Sequence, residues 1–229
     1  MPSEDYMDRD EQDERDDIID ADEDHGLVDD IADDDTDLDD AEDTDDADDD
    51  TVTFASLGLP EEILEAVTDM GFRFPTPIQA AAIPPLLELR DVVGIAQTGT
   101  GKTAAFGLPL LAIVDADERD VQALVLAPTR ELAMQSAQAI EDFAARTARL
   151  DVVPVYGGSP YGPQIGALKR GAQVVVGTPG RVIDLIEKGA LDLSNVRMLV
   201  LDEADEMLRM GFAEDVETIA SSAPDDRLT

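Results

Sequence analysis

There is no cysteine in the 229 residues, which excludes disulfides and any metal site built on thiolates. No run of about 18 apolar residues occurs, so no segment reads as a membrane-spanning helix. The N-terminus has neither the basic stretch nor the apolar core of a secretory leader. Cations are scarce: 16 Lys and Arg stand against 54 Asp and Glu, a net charge of −38. These absences leave a soluble, cytoplasmic protein of one or two domains as the expectation.

The acid is unevenly placed. Residues 1–50 hold 28 of the 54 acidic and 2 of the 16 basic residues, a balance of −26, which leaves −12 for residues 51–229. The first segment, with blocks such as "DDADDD", has too few apolar residues to offset its ordering entropy and is predicted to be a disordered acidic tail. From "TVTFASLGLPEEIL" the composition becomes that of a globular domain, so the boundary falls near Thr51.

Five short apolar runs recur in that domain: "DVVGIA" (91–96), "ALVLA" (123–127), "VVPVY" (152–156), "QVVVG" (173–177) and "MLVL" (198–201). Each is nearly continuous, which suits a strand covered on both faces. Helical patterns lie between them. Ala133, Ala137, Ile140, Phe143 or Ala144, and Thr147 share one stripe, and Leu59, Ile63, Ala66 or Val67, and Met70 another. Pro60 is placed to start the second helix and Gly71 to end it. Alternating strands and helices predict an α/β fold, a mostly parallel sheet with helices on both faces. In such sheets ligands gather beyond the carboxyl ends of the strands.

The strand ends carry the informative residues. "AQTGTGKT" (96–103) fits a phosphate loop between strand and helix: backbone N–H groups cradle phosphates, Lys102 reaches the β and γ oxygens, and the Thr103 hydroxyl ligates magnesium. The strict pattern has glycine where this chain has Ala96, a departure tolerable if position 96 keeps a negative φ. Such a loop needs a second magnesium anchor, a carboxylate at the end of a neighbouring strand. "MLVLDEADE" supplies Asp202 for the ion and Glu203 to orient or deprotonate the attacking water. The other reading of these crowded carboxylates is a solvated helix start. "APTRELA" and "GTPGRVI" both run strand, threonine, helix, with Thr129 and Thr178 as caps and Pro179 at a first helical position. Arg130 and Arg181 follow, so each helix start is either an anion site or ordinary capping beside a solvated arginine. Two anion sites beyond one nucleotide's needs suggest a second, polyphosphate ligand, a nucleic-acid backbone. Gly157 and Gly158 of "YGGSP" mark a turn that such a backbone could approach. Gln79 of "GFRFPTPIQ" could pair with the N6 and N7 edge of adenine, and Phe54 either stacks on the base or lies in the core.

In this order the motifs resemble the N-terminal half of a DEAD-box RNA helicase. "GFRFPTPIQ" resembles the Q motif, with Phe54 as its upstream aromatic. "AQTGTGKT" resembles motif I, where alanine at 96 is usual. "PTRELA" resembles motif Ia, Gly157-Gly158 the GG element, "TPGR" motif Ib and "DEAD" motif II. The resemblance covers residues 54–210. It implies a RecA-like domain that binds ATP and Mg2+, the nucleotide lined by Phe54, Arg73, Gln79, Ala96, Gln97, Thr98, Gly99, Thr100, Gly101, Lys102, Thr103, Asp202 and Glu203. It implies RNA contacts from Pro128, Thr129, Arg130, Gly157, Gly158, Thr178, Pro179, Gly180 and Arg181, and a link from Asp205 to motif III. Glu206 has no role in the family pattern and reads as a helix-face charge.

Motif III and the second RecA-like domain, which in the family carries the arginine finger, are not found in residues 1–229. In the family the motif III strand lies between those of motifs I and II, so the sheet is expected to lack a central member and the chain to be a fragment. A non-catalytic RNA- or partner-binding remnant is the alternative. A DNA-directed helicase is opposed by the Q motif. The acidic tail reads either as a solubilising segment, as a docking site for protein partners, or as a mimic of RNA.

Overall fold

Four of the five apolar runs form strands, and the fifth does not. The computed structural model describes residues 52–97 and 99–229; the acidic tail (1–50) and Thr98 of the phosphate loop lie outside the described residues. After a single 3-10 turn, Phe54–Leu57, come α1 (Glu61–Asp69), α2 (Pro77–Leu87), α3 (Lys102–Ile113), β1 (Ala123–Leu126) and α4 (Arg130–Phe143). Then follow β2 (Val152–Val155), α5 (Tyr161–Arg170), β3 (Val174–Gly177), α6 (Pro179–Glu187), β4 (Met198–Leu201), α7 (Ala204–Arg209) and α8 (Ala213–Ala220). The strands lie in the order β2-β3-β1-β4, all paired in parallel.

The sheet separates two cores, and this explains the continuous apolar runs. Ala123, Val125, Val174, Val176 and Met198 point into a core roofed by α1 to α4. Leu124, Leu126, Val175 and Leu199 point the other way, against Val182 and Leu185 of α6, Met207 of α7 and Ile219 of α8. A strand buried on both faces has no polar alternation to show, and each fully buried Leu or Ile contributes about 1.5–3 kcal/mol. The stripe Ala133, Ala137, Ile140 and Phe143 is buried as its helical spacing requires. Pro60 stands at the cap of α1 rather than inside it, and Gly71 takes φ 82° just beyond its end.

The expected strand at 91–96 is corrected. Residues 91–97 have no regular structure, and Val93 and Ile95 are 94% and 96% exposed. The reason is pairing. The ladder partner of this segment must come between it and β4, and only Leu228 and Thr229 stand there. Leu228 bridges Met198 in parallel and accepts a hydrogen bond from the Leu199 N–H at 2.8 Å. The Val92 N–H donates to the Thr229 carbonyl at 3.1 Å. Among the described residues this is the only backbone hydrogen bond that residues 91–96 make, and an unpaired apolar segment does not hold strand form.

Candidate functional site

Because all strands are parallel, their carboxyl ends share one edge of the sheet. Along it lie, in order, the loop 156–160 after β2, Thr178 to Arg181 after β3, Pro128 to Arg130 after β1, and Asp202 to Asp205 after β4. The phosphate-loop residues end beside the last of these. Gly99 and Gly101 take φ 83° and 88°, while Ala96 keeps a negative φ, the condition on which its departure from glycine was tolerable. A Cβ at Gly101 would lie 2.3 Å from Gln79 Nε2, so a side chain here would displace the Gln79 amide and be strained at φ 88°.

Lys102, the first residue of α3, places its Nζ 2.7 Å from Glu203 Oε1, both side chains 23% exposed. Thr103 follows on the first turn of the helix. A cavity of about 600 Å³ adjoins the pair, lined among others by Val93, Ile95, Ala96, Lys102, Asp202 and Glu203. Burial pushes the Asp202 carboxyl above its ordinary value, and the neighbouring Glu203 charge adds to this; a hydrogen bond from Ser136 and the Lys102 ammonium act in the opposite direction. Ser136 Oγ donates to Asp202 Oδ2 at 3.2 Å. Ser136 was not among the expected site residues. Its only signal in the sequence is a hydroxyl one position from Ala137 on the buried stripe of α4. Glu203 stands in the left-handed region at φ 52° and ψ 47°, strain of the kind that gathers at functional sites.

Gln79 is 5% exposed and its amide is engaged at both ends: Oε1 accepts from the Thr76 N–H at 2.9 Å and Nε2 donates to the Gly101 carbonyl at 3.1 Å. It therefore ties the Q-motif turn to the phosphate loop. Of the two readings of Phe54 the core one holds and its place in the nucleotide lining is corrected, since it is 2% exposed and packs on Phe72 with ring centroids 6.3 Å apart. Arg73, Gln97 and Gly99 are exposed, with Thr100 half-buried between them and the helix.

The expected backbone-binding residues divide into two kinds. Thr129 caps α4 through the Leu132 N–H at 3.2 Å. Arg130 is exposed, with its guanidinium carbon 5.9 Å from the centre of the Tyr156 ring. Gly157, Gly158 and Gly180 are exposed and a Cβ on any of them would meet nothing within 4 Å, so the approach from outside is open. Pro128 and Pro179 are buried and can contribute only backbone. Thr178 makes no side-chain cap; its hydroxyl is not what starts α6. Arg181 is neither solvated nor facing outward, a correction to both expectations, because its side chain is 7% exposed and bonded internally. Asp205 pairs with Arg209 at 3.0 Å on the surface of α7, and Glu206 with the same arginine at 2.7 Å, which accounts for the fourth carboxylate of the cluster.

A model of the DEAD/DEAH box helicase family matches residues 76–229, the stretch that holds this whole strand-end arrangement except Phe54 and Arg73. The chain belongs to the DEAD/DEAH box helicase family. Among curated relatives of this helicase chain, the ATP-dependent RNA helicase DeaD of Haemophilus influenzae is 58% identical over 180 residues, 79% of this chain and 29% of that protein. DeaD of Escherichia coli strain K12 is 58% identical over 177 residues, 77% of this chain and 28% of that protein. The chain thus spans under a third of the length of these relatives. The crystal structure of a DEAD box protein from Methanococcus jannaschii superposes with a TM-score of 0.73 at 45% identity, covering 77% of this chain and 48% of that one. A hypothetical ATP-dependent RNA helicase from Sulfolobus tokodaii gives a TM-score of 0.67 at 41% identity, covering 74% and 48%. The RecA-like fold is shared with these helicase structures. Among the described residues no helix is long and apolar enough to cross a membrane.

Proposed function

We propose that the chain is the nucleotide-binding half of a cytoplasmic RNA helicase, which uses ATP hydrolysis, stimulated by RNA, to separate short RNA duplexes together with a second RecA-like domain. The observation that carries this reading is the meeting of Lys102, Asp202 and Glu203 beside a glycine loop at the end of a parallel sheet.

The residues fit a magnesium nucleotide. Asp202 is a half-buried carboxyl held above its ordinary value chiefly by burial, and a bound cation would offset that burial and favour its ionised form. Among the described residues no group of three or more His, Cys, Asp or Glu forms a metal cage. Magnesium takes one or two protein oxygens, here Thr103 and Asp202, and leaves the rest to phosphate and water. Magnesium, when bound, neutralises charge developing on the transferred phosphoryl group. Lys102 would hold the β and γ oxygens, and in leaving Glu203 would free that carboxylate to take a proton from the attacking water. Arg130 and the open backbone at Gly157, Gly158 and Gly180 would receive the phosphates of single-stranded RNA or a duplex end.

A second statement concerns residues 1–229 alone, which span under a third of the length of the DeaD relatives: they bind without turning over. Binding of a fluorescent ATP analogue with and without Mg2+, and of labelled oligouridylate, tests the reading. Lys102→Ala should abolish the first. Nucleotide binding that ignores this substitution, or the absence of any RNA binding at low salt, would sink it.

A further inference from the structure

Arg181 sits at the centre of a closed set of contacts between α6, α5 and the loop after β2. Its Nη1 donates to the Ser159 carbonyl at 3.1 Å and to Gln164 Oε1 at 3.0 Å, and its Nη2 donates to the same carbonyl at 3.1 Å. Its guanidinium carbon lies 4.1 Å from the centre of the Tyr161 ring, a close cation–π stack. Its Nε is 3.8 Å from Asp184 Oδ2. The Tyr161 hydroxyl also donates to Asp184, and Lys188 pairs with that carboxylate from one turn further on. These two contacts, the Lys188 bond the larger, hold the Asp184 carboxyl below its ordinary value.

The consequence of the set is felt outside it. Gln164, 6% exposed, spends its Nε2 on the Tyr156 carbonyl at 3.3 Å. The Tyr156 ring is the platform under the exposed guanidinium of Arg130. A continuous path therefore runs from Arg181 through Gln164 and Tyr156 to Arg130, and a second from Arg181 to Ser159, next to the open Gly157-Gly158 turn. Most of Arg181's donors are spent on protein acceptors, and it is buried. It cannot reach a phosphate without dismantling this loop.

We propose that Arg181 is a positioning residue: it fixes the loop 156–160 and, through Gln164 and Tyr156, the outward-facing Arg130, and makes no contact with the nucleic acid itself. This rests on the RNA reading given above for the question of what the loop receives.

The test compares Arg181→Lys and Arg181→Met with Arg130→Ala and with Tyr161→Leu, which keeps the guanidinium and removes its stacking face, all in the 229-residue chain. Hydrogen exchange of the RNA-free chain should speed up about tenfold or more at amides 157–164 in the Arg181 and Tyr161 variants, with β1 and β4 unchanged. Labelled oligouridylate should bind about tenfold more weakly to both Arg181 variants, while affinity for the ATP analogue holds. A lysine keeps the charge but not the planar fork, so it should fail as methionine does. The slope of log affinity against log salt should stay at the parent value for Arg181→Met, but fall by ~0.7 for Arg130→Ala. Parent affinity in Arg181→Lys, with loss and a slope reduced by ~0.7 in Arg181→Met, would show a phosphate contact and overturn the proposal. Unchanged exchange at 157–164 would overturn it equally. A parent chain that binds no RNA defeats the RNA reading instead, and the exchange arm still decides the role of Arg181.

Discussion

Ser136 Oγ donates to Asp202 Oδ2 across 3.2 Å, so the helix that begins at the exposed Arg130 also holds the carboxylate at the end of β4. Partners that orient a metal-binding carboxylate typically change metal affinity by about 10–100-fold when lost. Ser136→Ala should weaken Mg2+-dependent binding of the ATP analogue by about tenfold and leave Mg2+-independent binding nearly unchanged. A magnesium titration of analogue binding checks this. Equal magnesium dependence in parent and variant would remove Ser136 from the site.

Asp202 gives a pH prediction with a definite sign. Its folded value is raised above the unfolded one, chiefly by burial. The folded chain therefore binds the proton more readily than the unfolded chain, and the stability this contributes is present at low pH and lost as pH rises through the folded value. Asp202→Asn removes the half-buried charge. In the absence of nucleotide and magnesium it should melt at a higher temperature than the parent at pH 7, and the gap should close as the pH falls through the carboxylate range. Thermal melts at pH 4, 5, 6 and 7 measure it; a gap that is constant or reversed contradicts the assignment.

Gln79 should matter twice. Its amide already bonds the Gly101 carbonyl and the Thr76 N–H, so Gln79→Ala loosens the phosphate loop and weakens all nucleotides. If the amide also turns to the adenine edge, ATP is preferred over GTP and the variant loses a preference worth about 1–3 kcal/mol by analogy with base pairs read in DNA. Competition of ATP and GTP for the analogue site separates the two effects. Equal affinity in the parent would remove the adenine contact and leave the loop tether.

Residues 1–229 on their own should show negligible ATP hydrolysis and no stimulation by RNA. The family resemblance assigns an arginine finger to a second RecA-like domain, and such a finger is worth roughly a thousandfold or more in related phosphoryl-transfer enzymes. A steady-state phosphate-release assay, with and without RNA, checks it, and RNA-stimulated turnover would refute the expectation.

How far the sequence led depended on how local each feature is. The stripe of α4, the four strands and the parallel order follow from spacing and from runs that need no distant partner to be read. "DVVGIA" has the same composition, yet it is irregular because a strand is a property of a pair, and among the described residues its one backbone bond runs from Val92 to Thr229. The identity of Lys102, Asp202 and Glu203 as a group could be read from motif order, and the 2.7 Å contact of Lys102 with Glu203 shows only that these two meet. The inward turn of Arg181 could not be read, because nothing in "TPGR" states that Tyr161 and Gln164 will enclose a guanidinium. For Phe54 the sequence offered both the core and the base, and burial decides for the core.

The backbone at Glu203 has a consequence for how such a chain changes over generations. A glutamate held at φ 52° carries strain of about 1–3 kcal/mol that glycine or asparagine would largely escape. A population screened only for survival of heating, with no demand on turnover, should accumulate glycine or asparagine at 203 early and repeatedly. A lineage that keeps glutamate there, against that strain, is the outcome expected of the proposed role of Glu203 in hydrolysis.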